Sequence, residues 1–226
     1  MEITEKKEFV EVEYTGYANG ELFDSNIEKD VKKIHPNAKA RKLVVIIGQG
    51  MVVPGLDKAL EGKEIGKDYE IKISRQIEGF GERKRELVKT IPLKIFREKN
   101  ITPYPGLTLN MDNLLARIIT VSGGRVITDF NNPLSGKVID YKFKIVKKVK
   151  EEKEKVECVL ELLFKFVPEF EIKDKVIVKG PKILSPYVDY VGARFKDLAG
   201  KELGFEEKEI QKEAKEKIES DKEKNE

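Results

Sequence analysis

Residues 43–60 read LVVIIGQGMVVPGLDKAL and form the corner around which the predicted fold is built. The stretch opens with five aliphatic residues, 43–47, which have the length and composition of a buried strand. Glycines end this strand, and Pro54-Gly55 begins an amphipathic helix that Gly62 ends. An apolar floor under a strand-to-helix corner suits an apolar ligand. It is equally what the core of any small α+β protein contains, and only the rest of the chain separates the two interpretations.

Composition limits the class of protein. The chain has 226 residues, of which 39% are hydrophobic and 38% charged. This length predicts two or three modules, and the apolar fraction is sufficient for real cores. Because 44 basic residues nearly balance 41 acidic ones, the net charge is only +3. Such a small net charge argues against recruitment of nucleic acid.

The chain contains one cysteine and one histidine, Cys158 and His35. A single cysteine excludes an intramolecular disulfide and favours a reducing, cytoplasmic setting, and its apolar neighbours indicate a buried structural thiol. No Cys or His spacing resembles a metal-ligand set. We expect no signal peptide, because the chain is charged from its second residue, and no apolar run approaches the roughly 20 residues that cross a membrane.

Alternating side chains predict the strands of a first sheet. Residues 9–18 form such a strand and lead into Asn19-Gly20, a pair that favours a tight hairpin turn. The strand resumes at Leu22-Phe23. Residues 69–73 and 138–149 alternate in the same way, which indicates antiparallel strands with one solvated face.

Two changes in composition divide the chain. Residues 84–127 carry strand-like runs and a Gly123-Gly124 hairpin signal, which predict a small β-rich domain inserted into the first. The first domain is then 1–83 plus 128–150.

A charged linker, residues 151–155, predicts the start of a C-terminal α+β domain, 151–226. Ser185-Pro186 indicates a helix start there, with serine as N-cap. The tail has only a sparse apolar stripe, Ile210, Ala214 and Ile218, typical of a marginal helix.

Short motifs follow one another in a recognisable order over residues 1–150. They are Tyr14-Thr15-Gly16, Asn19-Gly20, Phe23-Asp24-Ser25, Gly48-Gln49-Gly50, Val52-Val53-Pro54-Gly55-Leu56 and Gly79-Phe80-Gly81. The series resembles that of FKBP-type peptidyl-prolyl cis-trans isomerases. The insert followed by residues 131–137 (NNPLSGK) is similar to the SlyD-like subgroup, which carries an insert-in-flap chaperone domain here. With its C-terminal domain, the chain looks like a long archaeal FKBP.

The resemblance implies an α+β fold, in which a twisted antiparallel sheet wraps a short helix and the substrate proline lies between them. It also implies a pocket whose catalytic residues are Tyr14, Phe23, Asp24, Val52, Val53, Leu56, Phe80 and Tyr141, with Leu43 and Leu134 as further substrate contacts. Leu56 stands where many members have Trp, and Phe80 where many have Tyr, so a wider pocket is expected and macrolide binding does not follow. The metal-binding tail of bacterial SlyD has no counterpart.

Such a pocket needs no cofactor, because rotation about an X–Pro bond involves no covalent chemistry. The barrier of about 18–20 kcal/mol comes from amide resonance, and a dry apolar site favours the twisted amide over the polar planar one. Asp24 is the one residue of this set that carries a charge at neutral pH. It either holds the wall through Tyr14 or a loop, or it favours the twisted amide electrostatically.

The insert has many apolar residues for its size, which predicts either its own core or a groove for unfolded chains. Candidate client contacts are Ile91, Leu93, Phe96, Tyr104 and Met111. The expected partners are unfolded proteins with X–Pro bonds. The competing hypothesis is a non-catalytic holdase or assembly scaffold. For 151–226, a homodimer contact and a further client surface both remain open.

Overall fold

The structure, a computed structural model, describes residues 2–73 and 79–208. Its strands are β1 (Phe9–Ala18), β2 (Glu21–Ser25), β3 (Leu43–Ile46), β4 (Asp68–Ile73), β5 (Val88–Pro92), β6 (Thr108–Met111), β7 (Leu114–Ser122), β8 (Arg125–Asp129), β9 (Ile139–Lys148), β10 (Glu169–Ile172), β11 (Val176–Gly180) and β12 (Leu203–Glu207). Its α-helices are α1 (Glu28–Ile34), α2 (Pro54–Leu60), α3 (Leu93–Glu98), α4 (Glu152–Phe164) and α5 (Ser185–Ala199). Single 3₁₀ turns precede β5 and α5.

The first sheet has the order β2-β1-β9-β4, and every pair in it is antiparallel. β3 pairs with the first half of β1, beside the segment that pairs with β2. The predicted hairpin is present, with Asn19 and Gly20 both at positive φ. Leu56 and Leu60 of α2 are buried against this sheet. The sequence therefore predicted these strands and the short helix correctly.

The unbroken apolar run of β3 has a specific cause. Val45 and Ile47 face the cluster that contains α2, whereas Val44 and Ile46 face the C-terminal unit. A strand buried on both faces has no solvated position, so it carries no alternation. The alternating β4 and β9 each keep a wetter face, as their patterns predicted.

The insert forms a separate four-stranded sheet, β5-β8-β7-β6, with a core around Phe96, Met111, Ala116, Ile118 and Val126. The segment after Pro92 is the helix α3, which packs Phe96 into this core. The predicted insert boundary at 127 is two residues too early, because Thr128 and Asp129 still pair with β5.

The C-terminal unit consists of α4, α5 and the sheet β10-β11-β12, in which β11 and β12 are parallel. The predicted charged linker 151–155 is mostly the first turn of α4. Ser185 is the first residue of α5 and not its N-cap, because the 3₁₀ turn Lys182–Leu184 runs directly into the helix. The predicted tail helix at Ile210, Ala214 and Ile218 lies outside the described residues, as does Ile77-Glu78.

The C-terminal unit covers the free edge of β3. The amide of Ile46, which faces away from β1, donates to Met51 Sδ at 3.3 Å, and Cys158 Sγ of α4 donates to the carbonyl of Val44 at 3.4 Å. The two sulfur atoms are 3.8 Å apart. An edge strand leaves unpaired backbone groups, and here a helix and two sulfurs satisfy them. The apolar face of α4 is therefore used within the chain.

Labelling of Cys158 tests this burial. Burial raises the pKa of its thiol to about 12, and only 3% of the residue is exposed. Because the thiolate is the reactive form, we expect iodoacetamide to leave the folded protein unlabelled at neutral pH and to label it fully in urea. Mass spectrometry measures the labelling rate in each condition. Equal rates in the two conditions would contradict the packing of α4 on β3.

Within the described residues, no helix is long and apolar enough to span a bilayer. Across that same part of the chain, no group of three or more His, Cys, Asp or Glu side chains is arranged to hold a metal ion.

Candidate functional site

The residues predicted for the pocket come together at the corner between α2 and the first sheet. One apolar cluster contains all of them except Asp24, namely Tyr14, Phe23, Leu43, Val52, Val53, Leu56, Phe80, Leu134 and Tyr141. Leu56 and Tyr141 form its buried base, since 2% of each is exposed. The others are half-buried, so they line a surface that a ligand can reach.

The aromatic rings of the cluster are tilted against each other rather than stacked. Tyr141 lies 6.0 Å from both Tyr14 and Phe23, at interplanar angles of 59° and 70°. Phe80 meets Phe23 edge-on, with 6.0 Å between the ring centroids and an angle of 84°. Edge-to-face contacts of this kind hold rings in fixed orientations. Together these rings form an aromatic wall.

Asp24 is attached to this wall by a hydrogen bond. The phenol of Tyr14 donates to Asp24 Oδ2 at 2.8 Å. The backbone of Tyr14 is fixed in turn by Asn26, whose Oδ1 accepts from the Tyr14 amide at 2.7 Å. Burial, with the neighbouring carboxylate of Asp24, raises the pKa of Tyr14 well above its ordinary value. Burial likewise raises the pKa of Tyr141 to about 12.

These shifts predict a loss of stability in alkali. The unfolded chain ionises its tyrosines from about pH 10, whereas folded Tyr14 stays protonated there, so the stabilisation is complete below pH 10 and falls as pH rises through the folded pKa. We expect the free energy of unfolding to decline from pH 10 upward more steeply in the wild type than in Tyr14→Phe. Urea titrations at several pH values measure this slope.

Tyr190→Phe is the matched control, because Tyr190 is 83% exposed. Its alkaline slope should equal that of the wild type. If Tyr14→Phe also kept the wild-type slope, the phenol of Tyr14 would not be the buried group described above.

Asp57 is a site residue that the sequence prediction missed. It is 7% exposed, and its two carboxylate oxygens accept from the amides of Gly48 at 2.8 Å and Gly50 at 2.9 Å. Val53, at the start of α2, accepts from the amides of Leu56 and Asp57. Asp57 thus ties the loop before Val52 and Val53 to the helix after them. The signal in the sequence that could have indicated this role is an acidic residue in the first turn of a helix that follows two glycines.

Gly16 is the second residue whose role only the structure reveals. A Cβ placed on it would lie 2.8 Å from ring carbons of both Phe23 and Tyr141. The two rings therefore approach the bare backbone of β1 directly. No side chain larger than hydrogen fits there without moving the aromatic wall.

The rim of the pocket is held by two loops that bind each other. Ser135 Oγ donates to the carbonyl of Phe80 at 2.9 Å, and the amide of Gly136 donates to the carbonyl of Gly81 at 2.9 Å. These bonds join the segment of Phe80 to the segment of Leu134, and both side chains belong to the pocket cluster. The segment that carries Phe80 is thus bonded to the chain that returns from the insert.

The insert residues predicted as client contacts divide into two groups. Phe96 is 1% and Met111 9% exposed, both in the core of the insert, so the prediction of client contact is wrong for these two. α3 and β6 each turn their largest apolar side chain inward. Ile91 and Leu93 are half-buried against that core, and Tyr104 is 58% exposed. For these three the contact with clients stays a prediction.

Comparison with known proteins agrees with this geometry. Residues 2–94 match the family described as FKBP-type peptidyl-prolyl cis-trans isomerase. Residues 89–134 match the family described as FKBP26, IF domain, which covers the inserted sheet. Residues 2–94 therefore belong to the FKBP-type peptidyl-prolyl cis-trans isomerase family, and the inserted sheet belongs to the family of insert-in-flap domains.

Its relatives are isomerases of short and SlyD type. The short-type peptidyl-prolyl cis-trans isomerase of Methanocaldococcus jannaschii is 28% identical over 148 residues, which are 64% of this chain and 94% of that protein. The SlyD isomerase of Helicobacter pylori is 28% identical over 150 residues, 65% of this chain and 74% of its own. The SlyD isomerase of Haemophilus influenzae is 27% identical over 112 residues, which are 44% of this chain and 53% of that protein.

Proposed function

We propose that the aromatic corner binds the proline ring of an X–Pro bond and that the insert supplies unfolded protein segments to it. The single observation that supports the first part most strongly is the gathering of the predicted residues in one cluster around Leu56 and Tyr141. Phe23 and Phe80 then flank the ring, and Val52 and Val53 form the opposite wall.

Catalysis in such a pocket follows from solvation. The planar amide is polar and strongly hydrated in water, whereas the twisted amide has lost its resonance and part of its charge separation. An apolar site that excludes water disfavours the planar state more than the twisted one, which lowers the barrier of about 18–20 kcal/mol. We assign Asp24 to the wall, where it orients Tyr14, because its hydrogen bond at 2.8 Å already uses one carboxylate oxygen.

The surface of the insert supports a role in client binding. Along β7, buried Ala116 and Ile118 alternate with exposed Leu115 and Ile119. Ile127 of β8 is likewise exposed, although it lies between two fully buried neighbours. These apolar side chains share the face of the sheet that lies opposite its core. Exposed apolar surface of this kind marks binding sites for other chains.

Substitution of Leu115 by lysine tests the client surface. We expect Leu115→Lys to weaken suppression of aggregation of an unfolded protein severalfold, because a charge replaces exposed apolar area, while turnover of a proline tetrapeptide changes by less than about twofold. Asn110→Lys is the matched control, since Asn110 pairs with Leu115 in register and is exposed. Equal loss of suppression in both variants would mean that charge alone caused the effect.

The competing function is a holdase that binds without catalysis. The comparisons favour the isomerase. A protease-free exchange assay on a tetrapeptide separates the two, because a holdase gives no acceleration at substoichiometric concentration. Acceleration that Leu56→Lys abolishes, with aggregation suppression retained, would assign the two activities to separate sites.

The proposal also covers the cellular location of the protein and its oligomeric state. The lone buried thiol of Cys158 supports a reducing, cytoplasmic location. A homodimer through the C-terminal unit would use exposed residues such as Tyr187 and Tyr190, which are 40% and 83% exposed, because α4 packs on β3. Analytical ultracentrifugation of Tyr190→Lys and of the wild type tests this assembly. If the two proteins have the same dimeric mass, the face that carries Tyr190 is not the dimer interface.

A further inference from the structure

A groove of about 660 Å³ lies where the insert meets the catalytic unit. One side is formed by the insert, with Pro105, Gly106 and the bulged part of β7 around Ile119. The other side is formed by the returning chain, residues 131–137. The groove is thus shared by the two units that the proposed function joins, and it lies beside the exposed apolar face of the insert.

The same loop lines both the groove and the proline pocket. Leu134 packs in the pocket cluster, whereas its neighbours Pro133 and Ser135 line the groove. Lys137, also in the groove, is only three residues beyond Leu134, a separation of at most about 11 Å. An extended client therefore needs roughly three residues to reach from the pocket to Lys137.

The position of the groove is fixed by a clamp at the base of the insert. Asn131 accepts from the amide of Lys84 at 2.8 Å and donates to its carbonyl at 2.9 Å, which ties the two crossing chains together. Asp129 accepts from the Asn131 side chain at 2.7 Å and pairs with Arg83. These hydrogen bonds and the arginine hold the pKa of Asp129 below its usual range. Its carboxylate is therefore committed to the clamp.

The charges of the groove are unbalanced. Three cations, Arg83, Arg117 and Lys137, line it together with one carboxylate, Asp129, which leaves an excess of two positive charges. Asp129 is held by Arg83 and Asn131. In residues 2–73 and 79–208, neither Arg117 nor Lys137 has a carboxylate within ion-pairing distance. Acidic and basic residues nearly balance over the whole chain, so the positive charge of this groove reflects how its own residues are placed and not the overall composition.

We infer that this groove, the junction groove, binds the flanking segment of the client and favours acidic residues within about three positions of the proline. This inference rests on the proposed function, because it deepens the choice of substrate at the same site. Ile119 and Pro133 contact the backbone and apolar parts of the segment, and Arg117 and Lys137 pair with its carboxylates. Charge complementarity of this kind adds specificity and speeds association more than it adds raw affinity.

The test compares isomerisation of three peptides by the full chain. One has a neutral Gly/Ser flank, and the others carry two glutamates on the N-terminal or C-terminal side of the same Leu-Pro pair. NMR exchange spectroscopy gives kcat/KM for each. We expect one acidic peptide to exceed the neutral one by about two- to fivefold at low salt, and the ratio to approach one at about 0.5 M salt.

Variants then assign the effect to the groove. Arg117→Gln and Lys137→Gln should each lower the acidic-to-neutral ratio through KM, and Lys137→Arg should retain it. Lys94→Gln is the control, because Lys94 is 84% exposed on α3, outside the groove. The inference is overturned if neither acidic peptide is preferred, or if Lys94→Gln lowers the ratio as much. Turnover of the neutral peptide reports separately on the isomerase, so its absence would count against the proposed function instead.

Discussion

Replacement of Gly16 by alanine is expected to lower kcat/KM for a short X–Pro peptide by about 10- to 100-fold. The added Cβ would lie 2.8 Å from ring carbons of Phe23 and of Tyr141, so both rings must move. These two rings form the aromatic wall, and a displacement of about 1 Å at a binding surface has effects of this size. Overpacking of this kind also costs about 1–3 kcal/mol of stability. Peptide isomerisation and urea unfolding measure the two effects.

The matched control is Gly192→Ala. Gly192 lies inside α5, and a Cβ there would meet nothing within 4 Å. Since glycine is the poorer helix former, this change should raise stability by about 0.5–1 kcal/mol and leave turnover unaltered. Normal turnover in Gly16→Ala would show that the rings of Phe23 and Tyr141 do not set the pocket.

Replacement of Asp57 by alanine is expected to destabilise the protein by about 2–4 kcal/mol. Its largely buried carboxylate accepts from the loop amides of Gly48 and Gly50, and the substitution removes both of these charge-assisted hydrogen bonds. The loop that carries Val52 and Val53 would then lose its attachment to α2. We therefore expect kcat/KM to fall by at least about tenfold, in excess of the loss attributable to unfolded protein.

Two further variants define the role of Asp57. Asp57→Asn keeps one acceptor oxygen and should give an intermediate loss of both stability and turnover. Asp68→Ala removes an exposed aspartate from β4 and should change stability by no more than about 0.5 kcal/mol. A loss in Asp57→Ala as small as that of Asp68→Ala would rule out a structural role for the carboxylate at the corner.

Much of the catalytic unit could be predicted because its information is local. Alternation along β4 and β9 and the Asn19-Gly20 turn each depend on a few neighbouring residues. The pocket residues followed from motifs whose order resembles one family, and the structure places all the apolar ones in one cluster. Asp24 is joined to them by the hydrogen bond to Tyr14.

The errors concern residues whose role depends on distant partners. Phe96 and Met111 are apolar in a small insert, and composition alone does not reveal that both are buried in its core. In the sequence, Asp57 is an ordinary helix residue. Only the structure shows that its carboxylate accepts hydrogen bonds from the amides of Gly48 and Gly50. Met51 is likewise a plain apolar residue in sequence, yet it packs on both the pocket cluster and the C-terminal core.

The stretch 43–60 shows the same division. Its strand, its glycine break and its helix start were readable from the sequence by itself, because backbone preferences and hydrophobic period are local properties. Only the tertiary structure decided that both faces of β3 are covered, one by α2 and the other by α4. The reason is that the burial of a strand face depends on which distant surface packs against it, and the residues of the strand alone do not determine this.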